Sequence, residues 1–300
     1  MNYAIVFTTS QMSDTPSHAS DWIAPLLATI PELDICDEAT WLAQGQAAEI
    51  TVTSNMTIDI TELRKMADQH CIDVNIVATE NRRKRLLIAD MDSTIITSES
   101  LDDLARLAGL GNEIARITAQ SMAGDMDFEE AIDARVAMLA GKPTSLFDLL
   151  LNEMTLTAGA ASLVRTMRAH GAFCYLVSGG FDFATSYVAD MCGFHDDHAN
   201  HMNISSGVIT GTVKKPILDR NAKANYMANY CTAHDLTMAD TATIGDGAND
   251  LEMLKAADFG VAFQGKPLLR QHIDLQLNHT DLTGLLYLQG YRDSEFVSSD

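Results

Sequence analysis

Positive charge is scarce in this sequence: 20 Lys and Arg stand against 41 Asp and Glu, a formal net charge of −21. A surface of that sign repels nucleic acid and anionic membranes, so neither is expected as a partner. The one basic run is NRRKR, Asn81 to Arg85. It could serve nucleic acid, but in so acidic a chain it reads as a solvated linker. Cysteine is sparse too. The five (Cys36, Cys71, Cys174, Cys192, Cys231) are scattered, odd in number and form no C-x-x-C. That excludes a disulfide framework and a structural zinc, and fits a reducing cytoplasm. No apolar run approaches the roughly 20 residues that cross a bilayer. The opening MNYAIVFTTSQMSD has no basic n-region and no small-residue cleavage site, so no signal peptide is read. Internal repeats and low-complexity tracts are lacking as well.

What is present is ordinary globular material, 47% hydrophobic and 20% charged over 300 residues, enough for two domains. Before the basic run the pattern predicts strand YAIVFTT, helix ASDWIAPLLATI, short strands LDICDE, TWLAQGQ and AAEITVT, helix DITELRKMADQH and strand IDVNIVATE. Apart from one extra short strand, this is a β-α-β-β-α-β order, and it predicts a small ferredoxin-like α+β domain over residues 1–80. After Arg85, β-rich runs ending in Gly, Asp or Ser (LLIAD, FCYLVSGG, ATIGDG, FGVAF) alternate with helices. They predict an α/β domain over residues 81–300 with a Rossmann-like, mostly parallel sheet. Between the first two runs the sequence reads almost wholly helical, too long for a crossover. It is expected to form a cap, residues 98–156, inserted after the first strand of a core made of 86–97 and 157–300. Such a cap would sit over the strand ends, where open α/β sheets bind ligands.

The stretch LLIADMDSTIITSES brings two aspartates, Asp90 and Asp92, to the end of the first core strand. Their spacing is that of one strand face. Close carboxylates repel, and two chemistries suit them: hard oxygen ligands for Mg²⁺, or an ionised nucleophile beside a protonated acid. In this acidic chain a pair of loop or cap aspartates is the plainer alternative. The later strand ends weigh against it. LVSGG offers the Ser178 hydroxyl and nearby backbone N–H groups, which could cradle phosphate or form a simple turn. TIGDGANDLEML supplies Asp246, Asn249 and Asp250, or an ordinary Asp-Gly turn. Lys223 precedes a helical stretch. Four converging carboxylates need compensation, and one Mg²⁺ with one lysine would leave a site suited to a phosphate dianion.

Taken in order, Asp90-x-Asp92-x-Thr94, Ser178-Gly179-Gly180, Lys223 and Gly245-Asp246-Gly247-Ala248-Asn249-Asp250 resemble the four motifs of the haloacid dehalogenase superfamily of aspartyl-phosphate phosphatases. The likeness runs from about Leu86 to about Leu277 and is nearest to the branch that hydrolyses phosphoserine. It implies Asp90 as nucleophile and Asp92 as general acid and base. It implies Mg²⁺ on the Asp90 and Asp246 carboxylates and the Asp92 carbonyl, with Asp250 in support. Ser178, Gly179, Lys223 and Asn249 would hold the phosphoryl group. In the cap, Glu99 would pair the substrate ammonium and Arg135 its carboxylate, with Met122 and Phe128 closing over it. The same motifs suit a phosphotransferase acting on a small alcohol such as homoserine, or a phosphatase for another small ester. Residues 1–80 are similar to ACT-type modules, which bind amino acids and pair with one another. That similarity implies a homodimer through this domain. The turn TTSQMSDTPSHAS lacks the glycine such ligand sites often use.

Overall fold

A computed structural model describes residues 1–10, 18–27, 34–55, 58–123, 126–218 and 221–298, without the side chains of 34, 115, 119 and 121–123. Most of the glycine-free turn, 11–17, lies outside the described residues.

Residues 1–80 alternate strands β1 (Asn2–Thr8), β2 (Asp34–Ile35), β3 (Thr40–Ala43), β4 (Ala47–Thr53) and β5 (Asp73–Ala78) with helices α1 (Ala19–Leu27) and α2 (Thr61–Asp68). Helix α2 starts where expected, with the Asp59 carboxylate accepting the Thr61 N–H at 2.9 Å. The sheet is antiparallel in the order β2-β4-β1-β5, with β3 also on β4. The run Ala4–Phe7 in β1 is wholly apolar because both faces of the strand are buried there. Ile5 and Phe7 pack against α1 and α2, while Ala4 and Val6 join the core of the second domain.

The second domain begins with β6 (Leu86–Ala89). The helices α3 (Ser100–Leu107), α4 (Gly111–Ala123), α5 (Phe128–Met138) and α6 (Ser145–Glu153) follow. Next come α7 (Ala160–Ala169), β7 (Phe173–Phe181), α8 (Asp182–Cys192) and β8 (Asp196–Asn200). A hairpin of β9 (Met202–Ser205) and β10 (Val208–Val213) leads to α9 (Ala222–Ala233). The chain ends with β11 (Thr241–Gly245), α10 (Leu251–Ala256), β12 (Phe259–Phe263), α11 (Pro267–His272), β13 (Leu275–Leu277) and α12 (Gly284–Leu288). The sheet is wholly parallel, in the order β13-β12-β11-β6-β7-β8. Leu87 and Ala89 face one core layer; Leu86 and Ile88 face the other, under α9 and α10. Strand order reverses between β6 and β11, which opens a crevice at their carboxyl ends.

The helical insertion is tied to the sheet by two connections that pair with each other, Ile96 opposite Leu156. Its core extends beyond the helices: Leu104, Ile132 and Val136 pack with Met202, Ile209 and Val213 of the β9–β10 hairpin. Gly211 makes this possible, since a Cβ there would meet Ala140 Cβ at 2.8 Å.

The basic run is only partly solvated: Asn81, Arg83 and Arg85 are exposed, but Arg82 and Lys84 are held by the protein. Arg82 donates to the Leu288 and Tyr287 carbonyls at 2.7 and 3.1 Å, at the end of α12, and pairs with Glu49 at 2.6 Å. Lys84 is buried, with its ammonium on Asp258 at 2.5 Å and on the Ala239 carbonyl at 2.9 Å. Helix-end carbonyls and distant carboxylates attract these cations more than water does. The two domains are further joined at β5. The buried Asp73 carboxylate accepts the N–H groups of Asn278, His279 and Thr280 at 2.8–2.9 Å, and the Thr280 hydroxyl at 2.9 Å. Asn75 exchanges two hydrogen bonds with the Gln276 backbone, both 2.8 Å. Among the described residues no helix is long and apolar enough to cross a membrane.

Candidate active site

Strand β6 ends at Ala89, and the next residue is Asp90, whose N–H is held by the Ile244 carbonyl of β11 at 3.0 Å. The sequence placed Asp90 and Asp92 on one strand face. A wide turn over Met91–Ile95 intervenes instead, with Ser93 in the left-handed region at φ 53°. The turn sends the two carboxylates to different walls of one site. Asp90 is 3% exposed and meets the Lys223 ammonium at 2.5 Å. Asp92 accepts the Ser100 N–H at 2.7 Å and the Ser178 hydroxyl at 3.2 Å.

Lys223 lies in the first turn of α9, buried, and reaches Asp250 at 2.5 Å as well as Asp90. Asp250 opens α10 and accepts the Gly247 N–H at 3.0 Å. Gly245 is required here, because a Cβ on it would stand 2.4 Å from Asp250 Cγ. One oxygen from each of Asp90, Asp246 and Asp250 lies within 4.8 Å of the others. Such a set of buried hard oxygens, in excess negative charge, fits a small divalent cation.

Electrostatics follow from this crowding. Burial raises the Asp90 carboxyl well above its usual range, the Asp250 charge adds to that, and Lys223 opposes it. Burial also lifts Asp92, helped by the nearby Glu99 charge, to about 6. Burial alone would lower Lys223, but Asp250 and Asp90 carry its ammonium upward instead.

Phe128, Ser178, Gly179, Lys223 and Asn249 line one small pocket. Its free space is about 10 Å³, room for about one water molecule. The Phe128 ring forms one wall, close enough that a Cβ on Gly179 would lie 3.1 Å from it. Glu99 is exposed at the start of α3 and accepts the Ser93 hydroxyl at 2.8 Å. Arg135, on α5, is mostly buried and faces Asp102 at 3.8 Å. The side chain of Met122 lies outside the described residues. The remaining sequence-predicted positions are thus gathered over the ends of β6, β7 and β11, with Glu99 and Arg135 on the cap side.

Sequence reasoning missed four residues. Lys266, after β12, pairs with Asp246 at 2.9 Å. Asp102 stands beside Arg135, Ser100 holds Asp92 through its backbone N–H, and buried Asn200 holds the Gly179 carbonyl at 2.9 Å. The Gly-Lys-Pro at the end of FGVAF was a usable signal for Lys266, being one more strand end at the same edge.

Residues 87–255 match the haloacid dehalogenase-like hydrolase family. A phosphoserine phosphatase of Streptomyces coelicolor is 39% identical over 231 residues, 76% of this chain and 56% of the relative. The chain therefore spans little more than half the length of that curated relative. Among solved structures, a HAD family hydrolase from Salmonella enterica serovar Typhi has a TM-score of 0.85 at 27% identity, covering 96% of this chain and 98% of that one. A phosphoserine phosphatase solved as a phospho-aspartyl intermediate analogue has a TM-score of 0.64 at 32% identity, covering 68% of this chain and 98% of that one.

Proposed function

The chain belongs to the haloacid dehalogenase-like hydrolase family, and from that premise we propose that it hydrolyses O-phospho-L-serine to L-serine and phosphate through a phosphorylated Asp90. One observation carries this: Asp90 and Asp92 open onto a single site walled by a buried lysine, a serine hydroxyl and a glycine backbone. The likeness to a phosphoserine phosphatase caught as a phospho-aspartyl analogue supports it.

An Asp90 carboxylate oxygen attacks phosphorus as the bond from phosphorus to the seryl oxygen breaks. Asp92, raised to about 6, gives its proton to the departing oxygen. The carboxylate left on Asp92 then takes a proton from the water that attacks the phosphorylated Asp90, which releases phosphate and restores both groups. Ser178, Gly179, Lys223 and Asn249 hold the phosphoryl oxygens throughout. Two easier steps replace a very slow one, and the barrier reduction required is on the order of 20 kcal/mol. The Asp90 and Asp246 carboxylates and the Asp92 carbonyl would hold Mg²⁺, supported by Asp250. Bound there, it supplies charge that keeps Asp90 ionised and offsets the phosphoryl oxygens.

In the cap, Glu99 takes the substrate ammonium and Arg135 its carboxylate. Phe128 and Met122 close over it and exclude water. Residues 98–156 act as this cap on a core of 86–97 and 157–300. Residues 1–80 pair two copies of the chain, using the outer edge at β2 and β3, because both faces of their sheet are covered.

Phosphate release from phosphoserine, measured with Mg²⁺ and with excess chelator, tests the proposal beside an Asp90→Asn variant. Turnover is expected only for the wild type with Mg²⁺. Equal turnover by the variant would end the phosphoaspartate mechanism. A phosphorylated product in place of free phosphate when homoserine is added would turn the assignment to a phosphotransferase.

A further inference from the structure

Three carboxylates meet at the crevice, but Lys223 serves only two of them, Asp90 and Asp250. Asp246 is answered by a second lysine: Lys266 Nζ lies 2.9 Å from its Oδ2. The two lysines differ in their surroundings. Lys223 has 4% of its side chain exposed and is fixed between its acids, whereas Lys266 has 47% exposed. Lys266 is anchored by its backbone, not its ammonium. Its N–H donates to the Asp246 carbonyl at 2.9 Å, and Arg270 grips the preceding Gly265 carbonyl at 2.6 Å. Pro267 follows at the start of α11 and stiffens the segment. Rotation of the side chain alone would carry the ammonium from the cluster into water without moving the loop.

Charge decides between staying and leaving. With both lysines present, the three acids keep one unit of negative charge, and the neighbouring Asp92 and Glu99 carboxyls add to it. A divalent cation on Asp246 and the Lys266 ammonium would compete for the same carboxylate oxygens, and two cations that close repel. Release of Lys266 relieves that repulsion and frees Asp246 Oδ2 for the metal.

We propose that Lys266 is a resident stand-in cation, which holds Asp246 in the metal-free protein and swings out to solvent when Mg²⁺ binds. This rests on the metal reading given under Proposed function. It makes Lys266 a positioning residue: it keeps the Asp246 carboxylate in place and the acidic crevice folded between metal-binding events, and it competes with the metal for the same oxygens.

The test is amine acylation of the wild-type protein, with peptide mass analysis, in millimolar MgCl₂ and in chelator. Lys65, on α2 of the other domain and 66% exposed, serves as the internal reference. Mg²⁺ should raise acylation of Lys266 several-fold relative to Lys65; unchanged or reduced acylation overturns the proposal. Calorimetric Mg²⁺ titration of Lys266→Gln supplies a second readout. The variant should bind Mg²⁺ several-fold more tightly than wild type and unfold more readily in chelator, while Lys266→Arg stays near wild type. Equal or weaker Mg²⁺ binding by Lys266→Gln overturns the proposal. If wild type takes up no Mg²⁺ at all, it is the metal reading that fails; uptake without release of Lys266 refutes the stand-in alone.

Discussion

Replacing Lys223 by methionine probes the charge balance of the crevice most directly. The side chain is 4% exposed and contacts Asp90 and Asp250 at 2.5 Å each, so its loss strands two buried carboxylates at once. Breaking a buried pair from one side costs about 3–5 kcal/mol, and a lysine shared by two acids belongs at the upper end. The pH dependence follows from Asp90. Burial and the Asp250 charge already raise its carboxyl, and Lys223 is the group that opposes them. Without the lysine the folded-state value climbs further above the unfolded value of about 3.9. A group raised on folding contributes stability that is fully present below its unfolded value and is lost as pH rises through its folded one. A proton can therefore substitute for the lysine in acid, and the deficit should be smaller near pH 5 than near pH 8. Urea unfolding in chelator, followed by circular dichroism across that range, measures it. Mg²⁺ should restore part of the stability, because a cation again faces the acids, but not phosphate release, because the phosphoryl group has lost its ammonium. A deficit under about 1 kcal/mol, typical of exposed pairs, or one that does not vary with pH, would refute this charge accounting.

The Asp92 carboxyl, at about 6 through burial and then Glu99, sets a second expectation. In Glu99→Gln its value should fall, so the limb of kcat that declines with rising pH should move to lower pH; an unmoved limb would exclude Glu99 as the tuning charge. At the domain junction, Asp73→Ala leaves three backbone N–H groups and the Thr280 hydroxyl without their acceptor. It should lower stability to urea by about 3 kcal/mol with kcat unchanged, and a parallel loss of kcat would show that the junction feeds the reaction.

The acids, glycines and hydroxyl of the site were legible because they stand directly at the ends of strongly apolar strands. Their positions along the chain are also their positions in space. Lys266 was not legible as a partner of Asp246, since an ion pair between two loops leaves no mark in either loop's own periodicity. NRRKR was misread for the same reason: composition registers charge, but the carboxylates of Glu49 and Asp258 and the α12 carbonyls that receive it are distant in sequence. The turn after Asp90 was hidden behind spacing that also suits a strand. Edge strands β8 and β13 escaped notice because DDHAN has a single apolar residue and LQL is only three residues long. The hairpin at 202–213 was not anticipated either, and its apolar side chains complete the cap core.

The way the six-stranded sheet ends also bears on how the protein behaves in a crowded cell. On the β13 side, Asn75 occupies the hydrogen-bonding groups of Gln276 much as a neighbouring strand would. On the β8 side, exposed Asp196 puts a charge where an intruding strand would need to lie. The first domain thus doubles as a guard against fibrillar stacking. A trimmed polypeptide lacking it would present a bare seam at β13 and clump with its own kind, whatever its chemistry at Asp90.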